Sequence, residues 1–476
     1  MTDKFSAVLC CTLDSIGYSK ENISLRAKQL KETTRFCNRA CAEHIGLELL
    51  PAGSKAEGVS QLCASDLDFM IVLNDYVCVD FGHVENGLFV IQKHHDESPP
   101  GYVKLRPLDA ENGTVSPLNL FSMYISNLHI VLLSSICFRN SLTLMYNKVM
   151  PLHGLKTKTS TLCGPALSLT VNRSMMDDVF SADLYSDFVT AIPYYSSSLL
   201  QKWKERKRLY EWPSSDTIKD VSTTEGYVVP VGHKQSEEQN FEWRVCYTTG
   251  EQKLLGSLNE VQIKLYVLLK MINASIIKGQ VDCVSSYMIK NIVMWVSERC
   301  DPGMFTPYNL TRMVLHSLAF LRHCLIYSNF LPNYMISDRN LLSGKVDCQE
   351  QFRLASTIAD LLNDGENIFL RCEKVRKAMF MMCENPSLVL RFGAWRNEIE
   401  ELLMLISVKT FAKIRPDMVY QSTILYDLFF EYWKDESFVN ICARLINLLS
   451  LDVKTMFGNG FQSLEDIDSW MNNLLS

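Results

Sequence analysis

Residues 66–73, "DLDFMIVL", set two carboxylates at the head of an apolar, partly β-branched run. Such a run reads as a strand, and residues two apart on a strand point to the same face. Asp66 and Asp68 therefore aim together at the start of an otherwise buried strand. Like charges held close repel, so a fold avoids the arrangement unless a cation sits between them or water surrounds them. Alone, an Asp-x-Asp reads as a solvated turn with two exposed acids. The preceding stretch, "PAGSKAEG" over 51–58, changes the reading. Ser54 through Glu57 fits a capping box, which predicts a short helix beginning there. A helix start offers free backbone N–H groups and a positive dipole end, both suited to phosphate. Gly53 lets the backbone approach a ligand closely. A phosphate cradle followed by paired carboxylates is what a nucleotidyltransferase needs: one part holds the triphosphate and the other holds magnesium ions.

The chain has 476 residues, enough for two or three domains. Its net charge of -6 makes it no polycation, so any nucleic-acid surface must be local. The sixteen cysteines are scattered, with no CxxC and no signal-peptide pattern in the first residues, which predicts reduced thiols in the cytosol or nucleus. Cys37, Cys41 and His44 resemble a metal-ligand set, but at this spacing they read as one face of a helix. The apolar stretch 117–138 lacks formal charge. Asn119, Asn127, His129 and its serines interrupt it, which predicts a buried amphipathic helix and no membrane association.

Residues 20–46 read as one long helix. Ile23, Leu30, Phe36, Ala40 and Ile45 form a broken apolar stripe, and Lys20, Arg26, Lys28, Lys31, Arg35 and Arg39 decorate the rest. Short strands follow over 75–116, then two more over 164–171 and 186–195. A basic segment, "QKWKERKRLYE", spans 201–211, and "YVVPVGHK" and "FEWRVCYTT" are again strand-like. From about residue 250 the pattern is helical, and the helices after about 350 carry no readable motif.

These blocks, in this order, resemble the cyclic GMP-AMP synthase-like receptors of the male-abnormal-twenty-one nucleotidyltransferase family. The similarity runs from about residue 20 to about 345. It rests on "AGSKAEG…SDLDFMIVL", "GPALSLTV…SDFVTAIPYY", "YVVPVGHK…FEWRVCY", "LLKMI…SSYMIK" and "LPNYMISDRNLLSG". The resemblance implies an α+β fold: a bilobal nucleotidyltransferase core with a mixed β-sheet and a long N-terminal helix over 1–250. A helical lobe over 251–345 and a helical C-terminal extension over 346–476 would follow. It implies that Asp66, Asp68 and Asp187 are the catalytic carboxylates and bind two magnesium or manganese ions, with Asp183 the rival to Asp187. Gly53 and Ser54 would touch the triphosphate. Lys270 and Ser286 would hold other phosphate oxygens, Tyr287 would stack on a base, and Arg244 would reach a base edge or phosphate.

Each residue also has a plainer reading. Lys270 would be an exposed helix lysine, Ser286 an N-cap, Tyr287 a core aromatic, and Arg244 one half of a salt bridge to Glu251.

The family resemblance further implies two nucleoside triphosphates, ATP and GTP, as substrates, a cyclic dinucleotide product and a role in innate immune signalling. Duplex nucleic acid would activate the protein through the long helix at Lys28, Lys31 and Arg35. "EQKLLGSLNEVQIK" runs through the place of the vertebrate synthase's zinc-binding insertion with no Cys or His, which predicts no structural zinc and favours double-stranded RNA over DNA. Cys246 and Thr248 replace serines that help read bases in that synthase, which leaves the product's bases open. Two other functions fit the same residues: a catalytically inactive scaffold of this fold, and a transferase that extends an RNA end.

Overall fold

The computed structural model describes residues 2–41, 47–61, 66–80, 89–94, 98–108, 117–125, 130–149, 157–159, 166–172, 183–196, 198–413, 432 and 434–457. In chain order the first half contains α1 (Thr2–Leu13), α2 (Lys20–Cys41), β1 (Leu47–Ala52), α3 (Gly53–Ala56), β2 (Leu67–Leu73), β3 (Tyr76–Val79), β4 (Phe89–His94), β5 (Tyr102–Pro107), β6 (Ser122–Ile125), β7 (Ile130–Leu133), α4 (Ser135–Val149), β8 (Thr157–Thr159), β9 (Leu167–Asn172) and β10 (Asp183–Tyr195). Then follow α5 (Ser198–Glu205), α6 (Ser215–Ser222), β11 (Gly226–Val229), β12 (Glu242–Cys246), α7 (Thr248–Gly256), α8 (Glu260–Ile272), α9 (Ser286–Arg299), α10 (Leu310–His323), α11 (Cys348–Asp364), α12 (Ile368–Arg371), α13 (Glu373–Glu384), α14 (Pro386–Ala412) and a helix over Glu436–Phe457. The fold is α+β, a mixed sheet followed by a helical C-terminal region.

β10 organises the sheet. It runs parallel to β2 and antiparallel to β9 and β11, and near its end it pairs with β3. The strand path β1-β2-β10-β11-β12-β5-β4-β3 therefore returns to β10, and six of its strands close on themselves. Register partners share a face of a sheet. Asp68, Met70 and Val72 thus lie beside Asp187, Val189 and Ala191. The same face continues through Tyr227 and Val229 on β11, Cys246 and Arg244 on β12, and Tyr102 on β5. Met70, Val72, Ala191, Tyr227 and Val229 form its buried apolar floor. On the other face, Phe69 stacks on Phe188 with ring centroids 5.8 Å apart.

The C-terminal region is built into the core. Gly17, at φ +90° between α1 and α2, has the Arg396 guanidinium of α14 where a Cβ would stand, 2.0 Å from Nη1. Only glycine meets both demands. Arg26 is buried on α2. It donates to the carbonyls of Gly58 and Gly17 and pairs at 2.9 Å with Glu400 of α14, which Arg396 also reaches at 3.0 Å. Arg26 is therefore an interior residue and not part of the basic face expected of the long helix.

Two local expectations are corrected. Residues 117–138 do not form one helix: a 3₁₀ turn leads into the β6–β7 pair, and α4 begins only at Ser135. The aromatic and β-branched residues on either side of the intervening segment favour strands once a partner strand is at hand. The capping box at Ser54 does not form either. The cap of α3 is Ala52, with no side-chain hydrogen bond, and the Glu57 carboxylate accepts instead from Tyr266 and Lys290.

That last contact belongs to the network joining the sheet to the helices. Lys290 of α9 sits between two buried carboxylates, Glu57 at 2.9 Å and Glu251 of α7 at 2.6 Å. The Tyr266 hydroxyl of α8 donates to Glu57 at 2.9 Å, and the Tyr287 hydroxyl of α9 donates to Glu251 at 2.7 Å. Removing the one cation leaves two buried acids facing each other. Lys290→Met should therefore cost about 3–5 kcal/mol in denaturant unfolding; a loss below about 1 kcal/mol would contradict this role.

Candidate active site

The strands bring the acids together. Asp187 on β10 is the register partner of Asp68 on β2, whereas Asp183 lies four residues earlier, opposite Asn172 of β9. Asp66 precedes β2 and is exposed, while Asp68 and Asp187 are half-buried. Ala52, at the end of β1, pairs with Asp68, so the turn that follows starts beside the acids. Gly53 holds φ +67°, and a Cβ there would come within 1.7 Å of Asp68 Oδ2. Glycine is required on both counts, and its lack of a side chain leaves the carboxylate against the backbone of the Gly53-Ser54 turn.

Burial, followed by the charges of Asp187, Asp66 and Glu57, pushes the Asp68 carboxyl up to about 6, and Lys270 opposes the shift. The site therefore carries more negative charge than its own lysine balances. Hard oxygen donors around uncompensated negative charge fit a magnesium or manganese ion. Among the described residues, the three possible ligands within 4.8 Å of one another are Cys10, Asp14 and Glu260; the carboxylates of Asp66, Asp68 and Asp187 are not drawn that close. In the Cys10 group a cation is already present. The Lys264 ammonium lies 3.1 Å from Cys10 Sγ, 2.6 Å from Asp14 and 2.5 Å from Glu260. That group is a buried lysine with its partners, not a metal site.

The helices supply the opposite wall. Lys270, in the last turn of α8, is half-buried, and its ammonium is pushed down by burial while Glu57 and Asp68 oppose the shift. Its Nζ lies 5.6 Å from the Tyr266 ring centroid.

Residues 262–360, from α8 to α11, match the family model of the Mab-21 protein HhH/H2TH-like domain. That match, over about a fifth of the chain, supports a Mab-21/cGAS-like family member. This domain points to a cGAS-like nucleotidyltransferase family, whose members generally use divalent metals and bind nucleotides and nucleic acids. No curated protein matches the chain.

The other expected residues fall as follows. Ser286 is the exposed first residue of α9, and the cap is Ser285, which accepts from the Met288 N–H. Tyr287 is half-buried. Its hydroxyl donates to Glu251 and accepts from Asn333 Nδ2 at 2.8 Å, so its ring orientation is fixed from inside the protein. Arg244 is half-buried on β12 and forms no ion pair among the described residues; Glu251, its expected alternative partner, is taken by Lys290.

Lys28, Lys31 and Arg35 are exposed on α2 at helical spacing, so they share a face. The second basic segment is different. Arg206 and Arg208 turn inward onto Glu298 at 2.8 and 3.0 Å, and Lys202 pairs with Asp338 at 2.7 Å. His44 lies outside the described residues, and among those described no helix is long and apolar enough to cross a membrane.

The joint role of Glu57, Glu251, Lys290 and Asn333 has no local signal in the sequence: their pairings span too many residues for spacing to reveal them.

A carboxyl raised in the folded state keeps a proton that the unfolded chain has already shed. Stability therefore falls as pH rises from about 4 to about 6, and above that range ionised Asp68 is a standing cost. In chelator at pH 7.5, Asp68→Asn should stabilise the fold by on the order of 2 kcal/mol and raise Tm. At pH 4 the two proteins should melt together. A variant melting no higher than the parent at pH 7.5 would contradict this electrostatic reading.

Proposed function

We propose that this chain is a nucleotidyltransferase that joins two nucleoside triphosphates, ATP and GTP, into a cyclic dinucleotide signal, and that duplex nucleic acid switches it on. The observation carrying the proposal is the register pairing of Asp68 with Asp187 beside the Gly53 turn, where burial and then the neighbouring negative charges raise Asp68. Asp66, Asp68 and Asp187 would hold two divalent cations, which when bound stabilise the entering and leaving oxygens of in-line phosphoryl transfer. Backbone N–H groups of the Gly53-Ser54 turn orient the triphosphate. A ribose hydroxyl attacks the α-phosphorus, the bond to the β-phosphate oxygen breaks, and pyrophosphate leaves. Asp187 would serve the cation that activates the attacking hydroxyl, whose proton is lost as the bond to phosphorus forms. Lys270 balances charge on the departing phosphates, and the held ring of Tyr287 gives a base a fixed surface. A second transfer closes the ring. Lys28, Lys31 and Arg35 form the duplex-contacting face, with double-stranded RNA favoured.

The test is product analysis. Purified protein is incubated with labelled ATP, GTP, CTP and UTP, magnesium or manganese, and duplex RNA or duplex DNA. A cyclic dinucleotide that appears only with a duplex, and falls at least about a hundredfold in Asp187→Asn, is the expected result. A lengthened RNA, or no product from any mixture, would overturn the proposal.

A further inference from the structure

At the far edge of the sheet floor from Asp68 and Asp187, four cations gather, Arg244 and Arg339 half-buried and Lys234 and Lys345 exposed. Arg244 on β12 is the register partner of Tyr102 on β5, and Arg339 lies over the Tyr102 ring, 5.4 Å from its centroid. Lys234 packs on Gly344, where a Cβ would come within 2.9 Å of the Lys234 Cβ, and Lys345 follows directly. His233 and Gln235 bond the Ser343 hydroxyl at 3.0 and 2.8 Å, which holds the lysine-bearing loop against the 343–345 segment.

Among the described residues, none of the four side chains forms an ion pair or a side-chain hydrogen bond. Five acids close to them in the chain or the fold are engaged elsewhere: Glu251 with Lys290, Asp338 with Lys202, Glu238 with Lys104, Glu242 with Ser236 and the His233 N–H, and Asp347 with the Glu350 N–H. Lys345 is exposed along its side chain; desolvation at its ammonium, and then the charges of Arg244, Arg339 and Lys234, hold it down at about 8. Arg244 is pushed down by burial and then by Arg339. Gathered like charges without a counter-charge are unfavourable unless an anion completes them.

We propose that Lys234, Arg244, Arg339 and Lys345 form an anion site that takes the oligophosphate chain of a nucleotide without a divalent cation. This deepens the proposed function and rests on it for the ligand class. Joining two triphosphates brings two oligophosphate chains into one cleft. The carboxylate end can hold only the chain whose charge divalent cations neutralise; the other needs cationic side chains. Two guanidinium forks and two ammonium groups suit the many oxygens of such a chain.

The experiment is calorimetric titration of inorganic tripolyphosphate, and separately of ATP, into Asp187→Asn protein in EDTA. Both should bind. Lys234→Glu combined with Lys345→Glu, with an unchanged melting curve, should weaken binding by about tenfold or more for each charge removed. Affinity should also fall with added salt, and as pH rises through about 8, where Lys345 loses its proton. Equal affinity for the two ligands assigns the site to phosphate alone, and tighter ATP adds the nucleoside; both support the proposal. No binding without a divalent cation, or binding that the double variant leaves unchanged, overturns it. A chain that makes no dinucleotide but binds tripolyphosphate here would sink the proposed function and leave this site standing.

Discussion

Lys290 between Glu57 and Glu251 is the contact on which the site depends. Glu57 follows the Gly53-Ser54 turn, Glu251 belongs to α7 beside the sheet floor, and Lys290 comes from α9. One buried ammonium thus ties the segment after the Gly53-Ser54 turn, the cover of the floor and the helical wall to a common point. Tyr266, Tyr287 and Asn333 extend the network by hydrogen bonds of 2.7–2.9 Å. Desolvating three charged groups is costly, and a well-packed apolar cluster could hold the same elements. The ionic version fixes their register: Tyr287 is oriented through the same carboxylate that Lys290 neutralises.

The sheet floor then separates charge by position. Acids collect where β2, β10 and the turn meet, at Asp66, Asp68 and Asp187. Cations collect toward β12, β5 and the 339–345 segment. Between them lies the apolar face of Met70, Val72, Ala191, Tyr227 and Val229. A nucleotide bound as proposed would meet its counter-charge in two forms, divalent cations held by the acids at one edge and cationic side chains at the other. This polarity follows from strand order: β10 must lie beside β2 to pair the acids, and closure back through β11 and β12 carries Arg244 to the opposite edge.

Much of this was legible in the sequence wherever a signal is local. The alternation in "DLDFMIVL" gives the strand and the shared face of its acids, and the family resemblance extends the reading to β10 and α9. What escaped is tertiary. Arg26 has the same periodicity as Lys28 and Lys31, and only the docking of α14, with Glu400 and Arg396, makes it an interior residue. Arg206 and Arg208 sit in a run that reads as a basic surface until Glu298 draws them in. Glu57 occupies a capping-box position, but two buried partners from the helices outcompete a local backbone bond. Residues 117–138 have no strong period of their own, so a partner strand decided their state.

The account stands or falls on whether the paired acids are a cation site. Manganese binding to the unmodified protein, titrated across pH, measures that directly. The account predicts saturable binding whose affinity rises as pH climbs through about 6, because Asp68 must release its proton to ligate. It also predicts that Asp187→Asn weakens binding by about tenfold or more. Absence of saturable binding at neutral pH, or binding indifferent to Asp187→Asn, would contradict it.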